Sequence, residues 1–380
     1  MRAGELGWAI CLAGLPWSYF LIRHLSSFQH LDIWHANSWW MQASGFLLLG
    51  VYGSARIRLG TLPASCWWLV SWASLVILWR FTSLMRPGEV YLAAMLTGVA
   101  NLWLVLLLAL LLTGLTQEGL RRISQAIFWS GVGLTCYGLL QAMNLDQFFK
   151  WVDLSKPTDT VVGVVGNPTH FGCQLALWMP FALMQPKWRC CWAIPGGVVI
   201  LLSQSSTAMG LFGLFLVGMA WRQSWRAGVV TLLLGVSVGI GLLHFYPAWL
   251  NLAGRMEVWQ SWWQVVKEQP IIGGGVGFLK NVTDQLPAIH PLRPWKHLHN
   301  EYLQWWVETG VVGMGLLGWM LWQLGQRVRG GVQAPFRWAC GWSLLAVGLI
   351  SLTSFPWHLW QLGGWGLFSL CGWLVSTEPV

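Results

Sequence analysis

Apolar runs of about 20 residues recur along this chain with short polar breaks between them, and that pattern sets the fold. A bilayer core of about 30 Å takes about 20 helical residues to cross. Twelve such stretches are predicted, at residues 6–22, 39–55, 63–79, 90–113, 123–142, 166–185, 191–204, 207–221, 227–245, 302–325, 338–354 and 357–375. Ser203-Gln204-Ser205-Ser206-Thr207 interrupts the seventh and eighth. No internal repeat or low-complexity tract divides the chain. The expectation is an all-α polytopic membrane protein, a single integral membrane domain over residues 1–380. The first stretch has a charged lead, but no small-x-small cleavage site follows, so it is predicted to remain a membrane helix.

Two polar segments are long, residues 143–165 and 246–300. Within the second, residues 255–267 place apolar side chains at 256, 259, 262, 263 and 266. That is the spacing of an amphipathic helix, and its Trp-rich face suits a helix lying on a membrane surface. Pro270 ends it. Gly273-Gly274-Gly275-Val276-Gly277 follows and is expected to be a flexible turn. No strand precedes these glycines and no Gly-Lys-Ser/Thr follows, which excludes a nucleotide cradle.

Composition agrees with the pattern. The 380 residues are 56% hydrophobic and 9% charged, against near a quarter charged in soluble domains. The net charge of +9 is spread over short loops, so it is no nucleic-acid footprint. Basic residues favour the cytoplasmic side of a membrane. With the N-terminus inside, the inner loops carry twelve of the 22 basic residues, Arg56, Arg121, Lys187, Arg222 and Arg327 among them. The nine histidines (24, 30, 35, 170, 244, 290, 297, 299 and 358) then fall on or near the outer face. The eight cysteines lie in spans or at their inner ends, with no Cys-x-x-Cys or Cys/His zinc spacing. The 32 tryptophans suit the headgroup level of a bilayer.

The outer face holds the candidate chemistry. His297-Leu298-His299-Asn300-Glu301 leads directly into the tenth span. Histidine titrates near neutral pH, and the N-terminus of a helix attracts an anion. A phosphate docked there beside His299 is one reading; a helix cap made by His299 and Asn300 is the other. Asn300, Gln304 and Glu308 share one helix face, and Glu308 sits about two turns inside the span, where a charge is costly. Arg255 can grip a phosphate with two N–H groups, and Arg293 and Lys296 lie close in sequence to the histidines. Asn167 opens the sixth span, and Ser205 lies in the polar join. No carboxylate pair of the kind that holds a nucleotide sugar's metal is present, and no cofactor or metal is expected.

Four segments together resemble a known family. These are Gly166-Asn167-Pro168-Thr169-His170-Phe171-Gly172; Leu202 to Ala208; Arg255 to Trp259 with Pro270-Ile271-Ile272-Gly273 and Gly275-Val276-Gly277-Phe278; and His297 to Gln304 with Glu308-Thr309-Gly310 and Gly313. In this order they resemble the O-antigen ligase/polymerase-like membrane proteins: lipopolysaccharide O-antigen ligases, O-antigen and exopolysaccharide polymerases, and protein O-oligosaccharyltransferases. The resemblance covers roughly residues 160–325. It departs at Ser206 and Thr207, where the family often carries an arginine.

The resemblance implies a GT-C-type fold and an inverting, metal-independent glycosyltransferase in the bacterial inner membrane, its active site facing the periplasm. The donor would be a polyprenyl-diphosphate-linked glycan. The acceptor would be a glycan, lipid A-core or a protein. His299 would be the catalytic histidine and Arg255 the residue on the diphosphate. Asn300, His297, Arg293, Lys296, Asn167, Glu308, Trp259 and Ser205 would surround the substrate. A transporter or flippase of lipid-linked glycans is the rival reading, using the same outer cavity without a base. Such proteins tend to show repeat symmetry and midplane charges.

Overall fold

The computed structural model describes residues 117–146, 161–183, 189–245, 253–268, 270–274, 298–328, 335–354, 356 and 360–375, together with Ala13 and Trp17. The described residues are helical, with no strand among them. In chain order the helices are α1 (Gln117–Ala142), α2 (Pro168–Leu183), α3 (Arg189–Leu202), α4 (Ser206–Gln223), α5 (Trp225–Phe245), α6 (Ala253–Glu268), α7 (Glu301–Val328), α8 (Pro335–Ile350) and α9 (Trp360–Val375). A short 3₁₀ turn, Gly163–Val165, precedes α2. The predicted stretches from 123–142 onward each fall on one of these helices. Those at 6–22, 39–55, 63–79 and 90–113 lie outside the described residues, Ala13 and Trp17 apart.

Helix α2 is the central post. Every residue from Phe171 to Ala182 is buried, and α1, α3, α4, α8 and α9 pack around it. Its start combines an Asn before the helix with Pro168 at the first helical position, where a missing N–H costs nothing. The Trp178 indole donates to the Phe128 carbonyl of α1 at 3.1 Å. Its ring fills the place a side chain on Gly131 would take: a Cβ there would lie 2.0 Å from Trp178 Nε1. Ser343 of α8 donates to the Leu177 carbonyl at 3.0 Å.

The two ends of this bundle differ in chemistry. At one end Arg222 stacks 5.1 Å over the Trp338 ring and Arg337 lies 4.8 Å over Trp373. At the other, the Thr207 and Thr353 hydroxyls share a hydrogen bond of 3.0 Å, and the Glu301 N–H donates to Ser351 at 2.8 Å. The eleventh predicted stretch ran on to residue 354. The structure ends α8 at Ile350 and turns residues 351–354 across this second end.

Among the described residues, Arg121–Ala142 is long and apolar enough to cross a bilayer. Cys191–Leu202, Trp225–Gly241 and Phe336–Ile350 are shorter apolar helices.

Two expectations for the outer segment are corrected. The first concerns α6. Trp262 and Val266 of the predicted stripe are buried, with Val258 beside them, against Leu298 and Val307, so this part of the stripe packs on protein. Met256 and Trp263 stay exposed. Apolar spacing is blind to whether lipid or protein covers a face. The second concerns the glycines. Helix α7 is broken at Gly310, whose φ of 65° and ψ of −165° are not helical. Residues 270–274 lie across the break. The N–H groups of Val311 and Val312 donate to Pro270 and Ile271 carbonyls at 2.9 and 3.5 Å, and the Gly274 N–H donates to Val307 at 2.7 Å. Gly273 and Gly274 of the expected flexible turn are docked backbone against backbone, and Gly275 to Gly277 lie outside the described residues.

Both Gly273 and Gly310 are required by that approach. A Cβ on Gly273 would stand 2.5 Å from the Gly310 nitrogen, and one on Gly310 would meet the Ile271 carbonyl. The Gly310 backbone also lies in a region essentially reserved for glycine. Gly310→Ala should therefore cost at least about 1–3 kcal/mol and lower the melting temperature of the detergent-solubilised protein. Unchanged melting would mean the break is not held in this way.

Candidate active site

Three helices begin at the second end of the bundle, and each is capped by a residue expected to touch substrate. Asn167 Oδ1 accepts the His170 N–H at 3.1 Å, Ser205 Oγ accepts the Ala208 N–H at 3.2 Å, and Asn300 Oδ1 accepts the Leu303 N–H at 3.0 Å. Side-chain contacts link the three starts. The Cys173 thiol of α2 lies within reach of Ser205, and His170 of α2 is within electrostatic reach of His299. The positive ends of three helix dipoles thus meet at one place.

Arg255 joins them from α6. It is partly buried and lies within electrostatic reach of both Cys173 and His299. Burial holds its pKa below the usual arginine value, with Cys173 acting the other way. Its ordinary value is so high that it keeps its charge. One guanidinium and three helix starts can together attract an anion with several oxygens.

His299 stands just before α7 with a φ of 51°, a left-handed conformation uncommon for a side chain of this size. Its neighbour Leu298 is gripped from two sides. The Trp259 indole donates to the Leu298 carbonyl at 2.8 Å, and the Leu298 N–H donates to Gln304 Oε1 at 3.4 Å. Gln304 Nε2 in turn donates to Glu308 Oε1 at 3.2 Å. Burial, and then the Arg255 charge, push the His299 pKa down from 6.5 to about 4. The imidazole is neutral at neutral pH, so it can accept a proton.

Of the residues expected at a substrate, the structure brings together Arg255, His299, Asn300, Asn167 and Ser205. The cap of α7 is made by Asn300. Trp259 turns its N–H to the protein backbone and Glu308 to Gln304, so both support the site from behind. His297, Arg293 and Lys296 lie outside the described residues. Sequence reasoning gave no role to Cys173, Gln304 or Thr353. Only Gln304 had left a signal, through its place on the face of Asn300 and Glu308. At the position where the family often carries an arginine, Thr207 bonds Thr353.

Residues 191–318 match the family model described as O-antigen ligase. The match supports the O-antigen ligase/polymerase-like family. No curated protein matches the chain. The family stretch holds Ser205, Arg255, Trp259, His299, Asn300 and Glu308, while Asn167, His170 and Cys173 of α2 precede it. The matched stretch supports O-antigen ligase/polymerase-type glycan transfer in general. Proteins of that family use lipid-linked glycan donors and are bacterial inner-membrane proteins in general.

Proposed function

We propose that this protein transfers a glycan from a polyprenyl-diphosphate carrier to an acceptor hydroxyl at the outer face of the inner membrane. The reading rests above all on one observation: a partly buried, neutral His299 within electrostatic reach of Arg255 where three helix starts meet. The carrier diphosphate would lie against Arg255 and the helix N–H groups. The acceptor oxygen attacks the anomeric carbon as the bond to the diphosphate oxygen breaks. The hydroxyl proton passes to the His299 ring, and the bonding electrons leave with the diphosphate, whose charge Arg255 and the helix dipoles stabilise. Attack opposite the leaving group inverts the anomeric centre. Acid–base and electrostatic roles are both assigned to this chain's residues, so the proposed reaction is metal-independent.

The placement in the membrane belongs to the same proposal: one domain of twelve spans with both termini inside and residues 246–300 outside. The exposed apolar side chains of α5, among them Leu233, Leu234, Val238 and Ile240, support lipid contact there. Arg222 and Arg337 would then mark the cytoplasmic end.

One set of experiments tests the reading. Purified protein given a defined polyprenyl-diphosphate-linked glycan and an acceptor should form product in the presence of a chelator, with inverted linkage. A cysteine introduced at Asp284 should react with an impermeant reagent in intact spheroplasts. Loss of turnover on chelation would remove the metal-free mechanism. Movement of the lipid-linked glycan across a vesicle bilayer without product would favour transport. Labelling of the Asp284 variant only after lysis would reverse the topology.

A further inference from the structure

We infer that Gln304 is a positioning residue for His299, its amide oriented by Glu308; this rests on the catalytic role of His299 proposed above. A glutamine amide has one accepting and one donating end. Here Nε2 donates to Glu308 Oε1 at 3.2 Å, so Oε1 is the end turned to the Leu298 N–H, at 3.4 Å. The Trp259 indole of α6 holds the other side of the same residue through the Leu298 carbonyl at 2.8 Å. Leu298 is buried with Val258, Trp262, Val266 and Val307, so its polar backbone groups depend on protein partners. The next residue is His299, with its left-handed φ of 51°.

A strained backbone persists only where its surroundings over-determine it, and these two bonds act at the residue just before the strain. The α6 bond has a second effect. Trp259 lies one turn along α6 from Arg255, so the helix that carries the phosphate-binding cation also grips the peptide that carries the base. Gln304 therefore acts through the backbone and touches no substrate.

The amide's polarity supplies the test. Gln304→Met keeps the length and removes the amide. It should lower kcat for transfer from a polyprenyl-diphosphate-linked glycan by up to about 10²-fold, the cost of misplacing a reacting group by an ångström, with KM for the donor little changed. Glu308→Lys would donate to the amide oxygen, turn Nε2 toward the Leu298 N–H, and give a similar loss. Gln304→Glu added to Glu308→Lys restores an acceptor to Leu298 and a donor behind it. The double variant should recover most of the lost rate. In protein with labelled histidine, the His299 ring resonance should move in Gln304→Met and Glu308→Lys and return in the double variant.

Wild-type kcat in a folded Gln304→Met protein, or an unmoved His299 resonance, would overturn the assignment. So would a folded double variant no better than Glu308→Lys. If Glu308→Lys does not accumulate, Gln304→Met decides alone. A wild-type protein that forms no product from the polyprenyl donor would sink the functional reading only, because the His299 resonance still reports on Gln304.

Discussion

Alanine in place of His299 should reduce glycan transfer by about 10²–10⁴-fold, the usual worth of a positioned base. The loss should fall on kcat. Donor binding should survive, because Arg255 and the three helix starts remain. The pH profile is the sharper test. Burial first, and then Arg255, hold His299 at about 4. A base is lost as pH falls through its own pKa, so the acid limb of the wild-type rate should lie near 4 and not near the ordinary 6.5. Removing the Arg255 charge should move that limb upward, but only part of the way, because burial is the larger cause and stays. His299→Ala turning over like wild type would end the base mechanism. An acid limb that remains at 6.5 would remove the electrostatic half of the argument.

Arg255→Ala should remove most activity as well, by a different route. Its loss would leave the leaving diphosphate without its cation, and removal of one well-placed charge-stabilising group typically costs about 10²–10³-fold. Arg255→Lys should restore only part, since an ammonium cannot offer two parallel N–H groups to a phosphate. Steady-state rates at matched protein levels, with donor binding measured separately, decide this. Normal transfer by the alanine variant would make Arg255 a headgroup contact and nothing more.

The sequence carries the helices and the outline of the site to different degrees. Apolar length is a local property, so the stretches from residue 123 onward coincide with helices to within a few residues at most ends. Caps are local too: Asn167, Ser205 and Asn300 each stand just before an apolar run, where a polar side chain has a reason to be. What escaped depends on pairs far apart in the chain. Gly310 is one of 44 glycines, and nothing near it announces that Gly273 will press against it. Cys173 looked like any apolar membrane residue until Ser205 and Arg255 were set beside it. Trp262 and Trp263 are neighbours of one type, yet the first is fully buried and the second exposed. Which of them meets protein is decided by α7.

The interlock at Gly310 has a bearing on how such a protein can diversify. Gly274 is tied to Val307, and Leu298 to Gln304. One anchor thus stands on either side of residues 275–297, both on the first half of α7. The length of that stretch can change without transmitting a displacement to Arg255 or His299, since each is fixed on the far side of an anchor. Lengthening a loop between fixed ends is inexpensive, about 0.6 kcal/mol for each doubling. The placement of Arg255 and His299 can therefore stay constant while the length between the anchors varies, held by two glycines that no other residue can replace.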